Sequence, residues 1–216
     1  MNKKDIPFLL EGLDTLFPDA HCELNFASPF QCIVAVSLSA QTTDASVNRV
    51  TPALFSRFPT SKEMANADIK EVEELIHSLG LYRNKARNLI ALSKDIEERF
   101  GGELPKTKEE LTSLSGVGIK TANVVLAECY KVPAIAVDTH VLRVSARLGL
   151  TKEGDSPETT ERKLESLIPK ERHIKSHHQL IFLGRRICHA RGPECENCLL
   201  SSRCYFAGKK KSTKGK

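Results

Sequence analysis

Four cysteines near the C-terminal end, Cys188, Cys195, Cys198 and Cys204, lie within one short segment. Thiols crowded in this way suit a metal or an iron–sulfur cluster better than a disulfide framework. Structural zinc generally uses two close pairs across a longer spacer, whereas Cys188-x6-Cys195-x2-Cys198-x5-Cys204 has one close pair and two outliers. A loop wrapped around a four-iron cubane, which is wider than an ion, suits these uneven spacings better; zinc is the alternative. At the least such a group would staple a segment too small to fold alone. Arg191 in the same loop is placed to meet a phosphate.

A second constellation is Leu114-Ser115-Gly116-Val117-Gly118-Ile119-Lys120-Thr121-Ala122. Two glycines two residues apart permit a tight hairpin with exposed backbone N–H groups. The helix that follows points its own free N–H groups and positive dipole end at the same spot. Gly116, Gly118 and Thr121 thus surround an anion site that suits a backbone phosphate. Lys120 falls in the first turn of that helix. Most such lysines are simply solvated, but a cation here opposes the dipole, which favours the neutral amine that Schiff-base chemistry needs. Asp138, in Val137-Asp138-Thr139-His140, reads as a helix N-cap. Capping holds a carboxylate in one rotamer, from which it can take a proton or stabilise a developing sugar cation.

The elements that must position these residues are helical nearly throughout. Ser28-Pro29, Thr43 or Asp44, Asp68, Thr107 with Glu110, Asp138 and Ser156-Pro157 are start signals, and Gly80, Gly101-Gly102 and Gly149 are stops. Pro52 is expected to kink or break the segment that runs to about Phe58. Ser176 starts the last long helix, and His173, His177 and His178 suggest only its polar beginning. Strand alternation is absent apart from the short run 133–137, which lacks partners. The fold class is all-α, with about ten short helices.

The chain has 216 residues, 40% hydrophobic and 27% charged, which rules out wholesale disorder. No apolar run is long enough to span a bilayer and no secretory signal is visible, so a soluble cytoplasmic protein is expected. The net charge of +5 comes from 32 basic and 27 acidic residues, and residues 209–216 hold five lysines and no acid. Without them the balance is 27 against 27, so the body is neutral and the excess sits in a tail. A nucleic-acid partner would therefore be bound through a local basic face. Cys22, Cys32 and Cys129 stand singly and read as inert or core thiols.

Together the glycine hairpin with Lys120, the segment Ala136-Val137-Asp138-Thr139-His140 and the four-cysteine pattern resemble endonuclease III, a family of helix–hairpin–helix DNA glycosylases with AP-lyase activity. Ser39-Ala40-Gln41-Thr42-Thr43-Asp44 and Gly80-Leu81-Tyr82-x-x-Lys85-Ala86 resemble it too, so the likeness covers residues 1–206 in order. The resemblance implies two helical domains. A six-helix domain over 22–132 would carry the hairpin. Residues 1–21 and 133–206 would form the cluster domain, and 207–216 a disordered tail. It further implies a 4Fe-4S cluster on the four cysteines, and Lys120 and Asp138 as catalytic residues facing a cleft. Gln41 would fill the gap in the duplex and Leu81 would wedge the opposite strand; Arg83, Lys85 and Arg87 join the phosphate contacts.

The substrates implied are oxidised or ring-saturated pyrimidines and abasic sites in double-stranded DNA, handled by a monomer associated with the nucleoid. Ser115 stands where the family usually has Pro, which should loosen the hairpin slightly. A monofunctional mismatch glycosylase of the same fold lacks an amine at the position of Lys120. A non-catalytic DNA-binding module would use hairpin and metal loop only for docking.

Overall fold

The structure, a computed structural model, describes residues 1–213. Among the described residues there are twelve α-helices and no strands. The chain divides into two compact units: Glu23–Val132, and Met1–Cys22 with the chain from Pro133 onward.

The Glu23–Val132 unit contains α2 (Pro29–Leu38), α3 (Asp44–Arg57), α4 (Ser61–Ala65), α5 (Ile69–Ile76), α6 (Tyr82–Phe100), α7 (Lys108–Thr112) and α8 (Ile119–Tyr130). That is one helix more than the six expected; the five-residue α4 is the addition. Its start is a capping box in which Glu63 reaches back to Thr60. Ser28, Thr43, Asp68 and Thr107 cap their helices through side-chain oxygens. Pro52 does not break α3, which runs on to Arg57. The ring is exposed, so the chain gives up one helical hydrogen bond at the surface while Val50, Leu54 and Thr51 stay buried. The core is built from Ile33, Leu38, Leu54, Met64, Ile76, Leu89, Leu92, Ile96 and Leu111, all at or below 1% exposure. The central helix is α6, packed against α4 and α5, while α2 packs on α8.

The other unit contains α1 (Ile6–Leu16), α9 (Thr139–Leu148), α10 (Pro157–Leu167), α11 (His173–Arg186) and α12 (Tyr205–Thr213). Leu9, Leu13, Val141, Val144, Leu164, Leu180 and Leu183 form its apolar centre. Two glycines set the spacing. A Cβ on Gly184 of α11 would lie 2.8 Å from the His140 Cβ of α9, and one on Gly12 of α1 would lie 2.5 Å from Leu200 Cδ2.

Two expectations are corrected in this unit. His173, His177 and His178 are buried within α11, at 5%, 3% and 6% exposure, because that helix starts at His173 rather than Ser176. The chain from 207, expected to be disordered, continues as α12 to Thr213. Ala207 is buried, and the Gly208 N–H donates to the Cys204 carbonyl at 3.0 Å, which docks the first turn. Residues 214–216 of that segment lie outside the described residues. No helix among the described residues is long and apolar enough to cross a membrane.

Candidate functional site

The hairpin is held from below by α6. Arg99 of α6 donates to the Ser113 carbonyl at 2.9 Å and to its hydroxyl at 2.7 Å, closing the end of α7. Leu114 and Val117 are buried, and the Val117 N–H donates to the Leu114 carbonyl at 3.1 Å. Gly116 between them has φ of +74°, which favours glycine, and a Cβ there would press on Asn88 at 3.3 Å. Ser115 does not leave the turn loose. Its N–H donates to Asp95 Oδ2 of α6 at 2.7 Å, a bond that proline could not make.

Gly118 is the N-cap of α8 and offers no side-chain acceptor to the first turn. The backbone N–H groups of Ile119, Lys120 and Thr121 therefore stand at the open end of a twelve-residue helix. Lys120 is exposed at the second helical position and Ile119 is 41% exposed. The turn thus presents backbone donors of the kind that suit an anion, with the Lys120 amine in the same turn.

Gln41 and Leu81 both sit in the same unit with left-handed backbones, at φ of 55° and 59°. Leu81 is 57% exposed, an apolar side chain presented to solvent. Both line a cavity of about 280 Å³ together with Ser115 and Gly116 of the hairpin. Lys85, expected among the phosphate contacts, is instead 8% exposed and donates to the Thr42 hydroxyl. Burial lowers its pKa below the usual lysine range. Arg83 and Arg87 remain exposed on α6.

In the other unit, Asp138 is half-buried and caps α9, with Oδ1 accepting the Val141 N–H at 2.7 Å. The second oxygen is not engaged by the cap.

Cys188, Cys195, Cys198 and Cys204 all line one cavity, with Arg147, Leu148, Leu183, Ile187 and Phe206 around them. Among the described residues no three His, Cys, Asp or Glu side chains form a group that could hold a single metal ion. Burial is the main cause that pushes the Cys198 and Cys204 thiols up, and the neighbouring thiols add to it. Backbone N–H groups of Leu200, Phe206 and Ala207 face these two sulfurs and act the other way. Arg147 Nη1 lies 3.4 Å from the Cys188 sulfur and donates to the His189 carbonyl at 2.6 Å, while Nη2 donates to the Ala190 carbonyl at 3.0 Å. Four thiols, backbone donors and a clamped guanidinium are a donor set that fits an anionic iron–sulfur cluster. Arg191 is exposed at the edge of this loop. The clamp by Arg147 and the tether by Asp95 carry no local sequence signal, because each partner is 20 or more residues away.

The chain matches the family model of the HhH-GPD superfamily base excision DNA repair proteins over residues 34–170. It is 48% identical over 215 residues to endonuclease III of Bacillus subtilis, covering 100% of this chain and 98% of the relative. It is 40% identical over 209 residues to endonuclease III of Escherichia coli, covering 97% and 99%. A solved structure of a trapped endonuclease III–DNA covalent intermediate, an estranged-adenine complex, superposes with a TM-score of 0.93 at 45% identity, over 98% of this chain and 99% of that one.

Proposed function

This chain belongs to the HhH-GPD superfamily of base excision DNA repair proteins, and from that premise we propose how its residues share one reaction. The protein is a bifunctional DNA glycosylase and AP lyase of the endonuclease III type. The observation that carries the reading is the exposed Lys120 in the uncapped first turn of α8, beside the glycine hairpin.

Its substrates are oxidised or ring-saturated pyrimidines and abasic sites in duplex DNA, bound by a monomer that works on the nucleoid. The N–H groups from Gly116 to Thr121 hold a backbone phosphate next to the damaged nucleotide, and Arg191 takes another. Flipping the nucleotide costs a few kcal/mol, less where the lesion already stacks poorly. Gln41 fills the gap and Leu81 wedges the opposite strand.

The Lys120 amine attacks the deoxyribose C1′, and the bond to the base breaks with its electron pair leaving on the base. Loss of the amine proton and opening of the sugar ring give an imine. Removal of a C2′ proton then expels the 3′ phosphate, which nicks the strand. Asp138 takes the amine proton and stabilises positive charge at C1′; its engagement as a cap supports this by fixing the carboxylate.

The same reading gives a 4Fe-4S cluster to Cys188, Cys195, Cys198 and Cys204. When bound, it supplies four metal–thiolate links and an electron-accepting centre. Arg147 and the N–H groups of Leu200, Phe206 and Ala207 would offset its charge and hold the loop that carries Arg191.

Borohydride trapping on a duplex with one abasic site tests the assignment. Wild type should give a covalent protein–DNA adduct, and Lys120→Gln should give none while still binding the duplex. An adduct that persists in Lys120→Gln removes Lys120 from the chemistry. Asp138→Asn keeps a capping oxygen and should fold normally with a slower glycosylase step.

A further inference from the structure

Cys32 and Cys129 stand far apart in the sequence, and folding brings their sulfurs together. Cys32 lies in the first turn of α2 and Cys129 in the last turn of α8, and the two helices pack on each other. The Cys32 thiol hydrogen-bonds the Cys129 sulfur, and neither residue is in a disulfide. Their surroundings differ. Cys32 is wholly buried, whereas Cys129 is half-buried and open to a small solute.

The bond from Cys32 is the largest influence on the Cys129 thiol and holds it below the usual cysteine range. Lys131 acts the same way, while burial and Glu128 oppose them. Tyr130, next to the pair, is turned elsewhere: its hydroxyl donates to the Leu104 carbonyl at 2.8 Å. Burial first, then the two cysteines and Glu103, push its pKa up to about 12, so the phenol stays neutral. An accessible thiol that ionises readily, beside a sheltered second thiol, is the arrangement in which the first is oxidised and the second resolves it.

We propose that Cys32 and Cys129 are a reversible oxidation site, a dithiol that hydroperoxides close into a disulfide joining α2 to α8. The Cys129 thiolate attacks one oxygen of hydrogen peroxide and the O–O bond breaks. The departing hydroxide takes up the proton that the thiol gave, and Cys129 is left as a sulfenic acid. The Cys32 sulfur then attacks the Cys129 sulfur, the S–O bond breaks, and hydroxide leaves as water with the Cys32 proton. Two thiols have lost two electrons, and one peroxide has become two waters. The new bond is about 2.05 Å long, so the sulfurs need only close up from hydrogen-bonding distance. Lys120 lies at the opposite end of α8, so the bridge leaves the hairpin and its donors as they are. It closes a long stretch of chain and so stabilises the Glu23–Val132 unit. It also keeps Cys129 from irreversible conversion to sulfinic acid.

The test treats the full chain with hydrogen peroxide, alkylates the remaining thiols in denaturant, and maps the peptides by mass without reductant. Wild type should yield a Cys32–Cys129 linked pair that dithiothreitol reverses, and the bridged protein should melt several degrees higher until it is reduced. Cys32→Ala should form no bridge; its Cys129 should oxidise more slowly and end as sulfinic acid that dithiothreitol does not restore. Cys129→Ser, at the half-buried position, should leave the sheltered Cys32 reduced at the same dose. The proposal is overturned if wild-type Cys129 passes to sulfinic acid without a bridge, or pairs with Cys22 instead. It is equally overturned if both thiols stay alkylatable at a dose that oxidises Cys22, or if Cys32 oxidises as readily in Cys129→Ser as in wild type. A bridged protein that melts no higher than the reduced one would show that the link does not suit the native fold, which also overturns it.

Discussion

Replacing Ser115 by proline puts the usual family residue into this hairpin, and the structure says that here it should do harm. The Ser115 N–H donates to the Asp95 carboxylate at 2.7 Å, a charge-assisted bond that fastens the turn before Gly116 to α6. Proline has no N–H, so Ser115→Pro deletes the bond and leaves a half-buried carboxylate without that donor. Bonds to charged groups contribute about 1.5–3 kcal/mol, and the lower figure applies to a partly solvated acid. Proline returns roughly 0.5–1 kcal/mol by restricting the unfolded chain. The net loss should be about 1 kcal/mol in stability, with roughly fivefold weaker binding to an abasic-site duplex if the hairpin holds the phosphate. The decisive assay is a double-mutant cycle with Asp95→Ala, read by urea unfolding and by binding. In the Asp95→Ala background the proline should be neutral or stabilising, because the bond is already gone. Ser115→Ala should be silent, since the donor is the backbone. Equal losses from Ser115→Pro in both backgrounds would refute the tether.

Other outcomes follow from single contacts. Asp14 is held down to about 2 by Lys175, then Gln179 and Arg172, so its contribution is present above the ordinary aspartate value and is lost as pH falls through the folded one. With the side chain 37% exposed, screening leaves about 1 kcal/mol, and the stability gap between wild type and Asp14→Asn should close between pH 4 and pH 2; a constant gap would contradict it. Gly184→Ala places a Cβ 2.8 Å from His140, so it should cost about 1–3 kcal/mol in thermal unfolding and slow the step assigned to Asp138 on the same helix; wild-type melting would show that α9 and α11 can part at no cost. Cys198→Ser should abolish a broad visible absorption band of the purified protein, and a colourless wild type carrying stoichiometric zinc would overturn the cluster. The Cys129 thiol is held below the usual cysteine range, mainly by a hydrogen bond from Cys32, so Cys32→Ala should slow its alkylation at neutral pH; unchanged labelling would dismiss the pair.

What could be read from the chain is what is decided within a few residues. Ser28, Thr43, Asp68, Thr107, Asp138 and Ser156 cap helices because their oxygens reach an N–H two or three positions on, a distance that sequence fixes. The gathering of Cys188, Cys195, Cys198 and Cys204 around one cavity is likewise a matter of a single short loop. Burial is another kind of property. Lys85 looks like a surface phosphate contact beside Arg83 and Arg87, yet only its position on α6 turns toward Thr42, 43 residues earlier. The histidines of α11 read as polar, yet they are buried, because the helix that carries them packs on α1 and α9 and begins earlier than its sequence signal. Pro52 misleads for a similar reason, since a proline ring on the solvent side of a helix disturbs little once tertiary packing fixes the turns around it.

The two left-handed residues, Gln41 and Leu81, show how such long-range contacts bear on the proposed work. A non-glycine residue in that region costs about 1–3 kcal/mol and persists only where its surroundings over-determine it. Gln41 is bracketed: Lys85 donates to the Thr42 hydroxyl, and that hydroxyl donates to the Ala40 carbonyl at 3.3 Å, so a relay spans the strained residue. The Lys85 N–H also takes the Leu81 carbonyl at 3.0 Å, which fixes the second strained residue to the first turn of α6. The Lys85 side chain thus braces the turn at Gln41, and the backbone of the same residue closes the first helical turn after Leu81. If either stood on a free loop, ordering it would cost about 1–2 kcal/mol per residue at the moment of binding. Here that ordering is part of folding, so the energy of DNA contact remains available for unstacking the base.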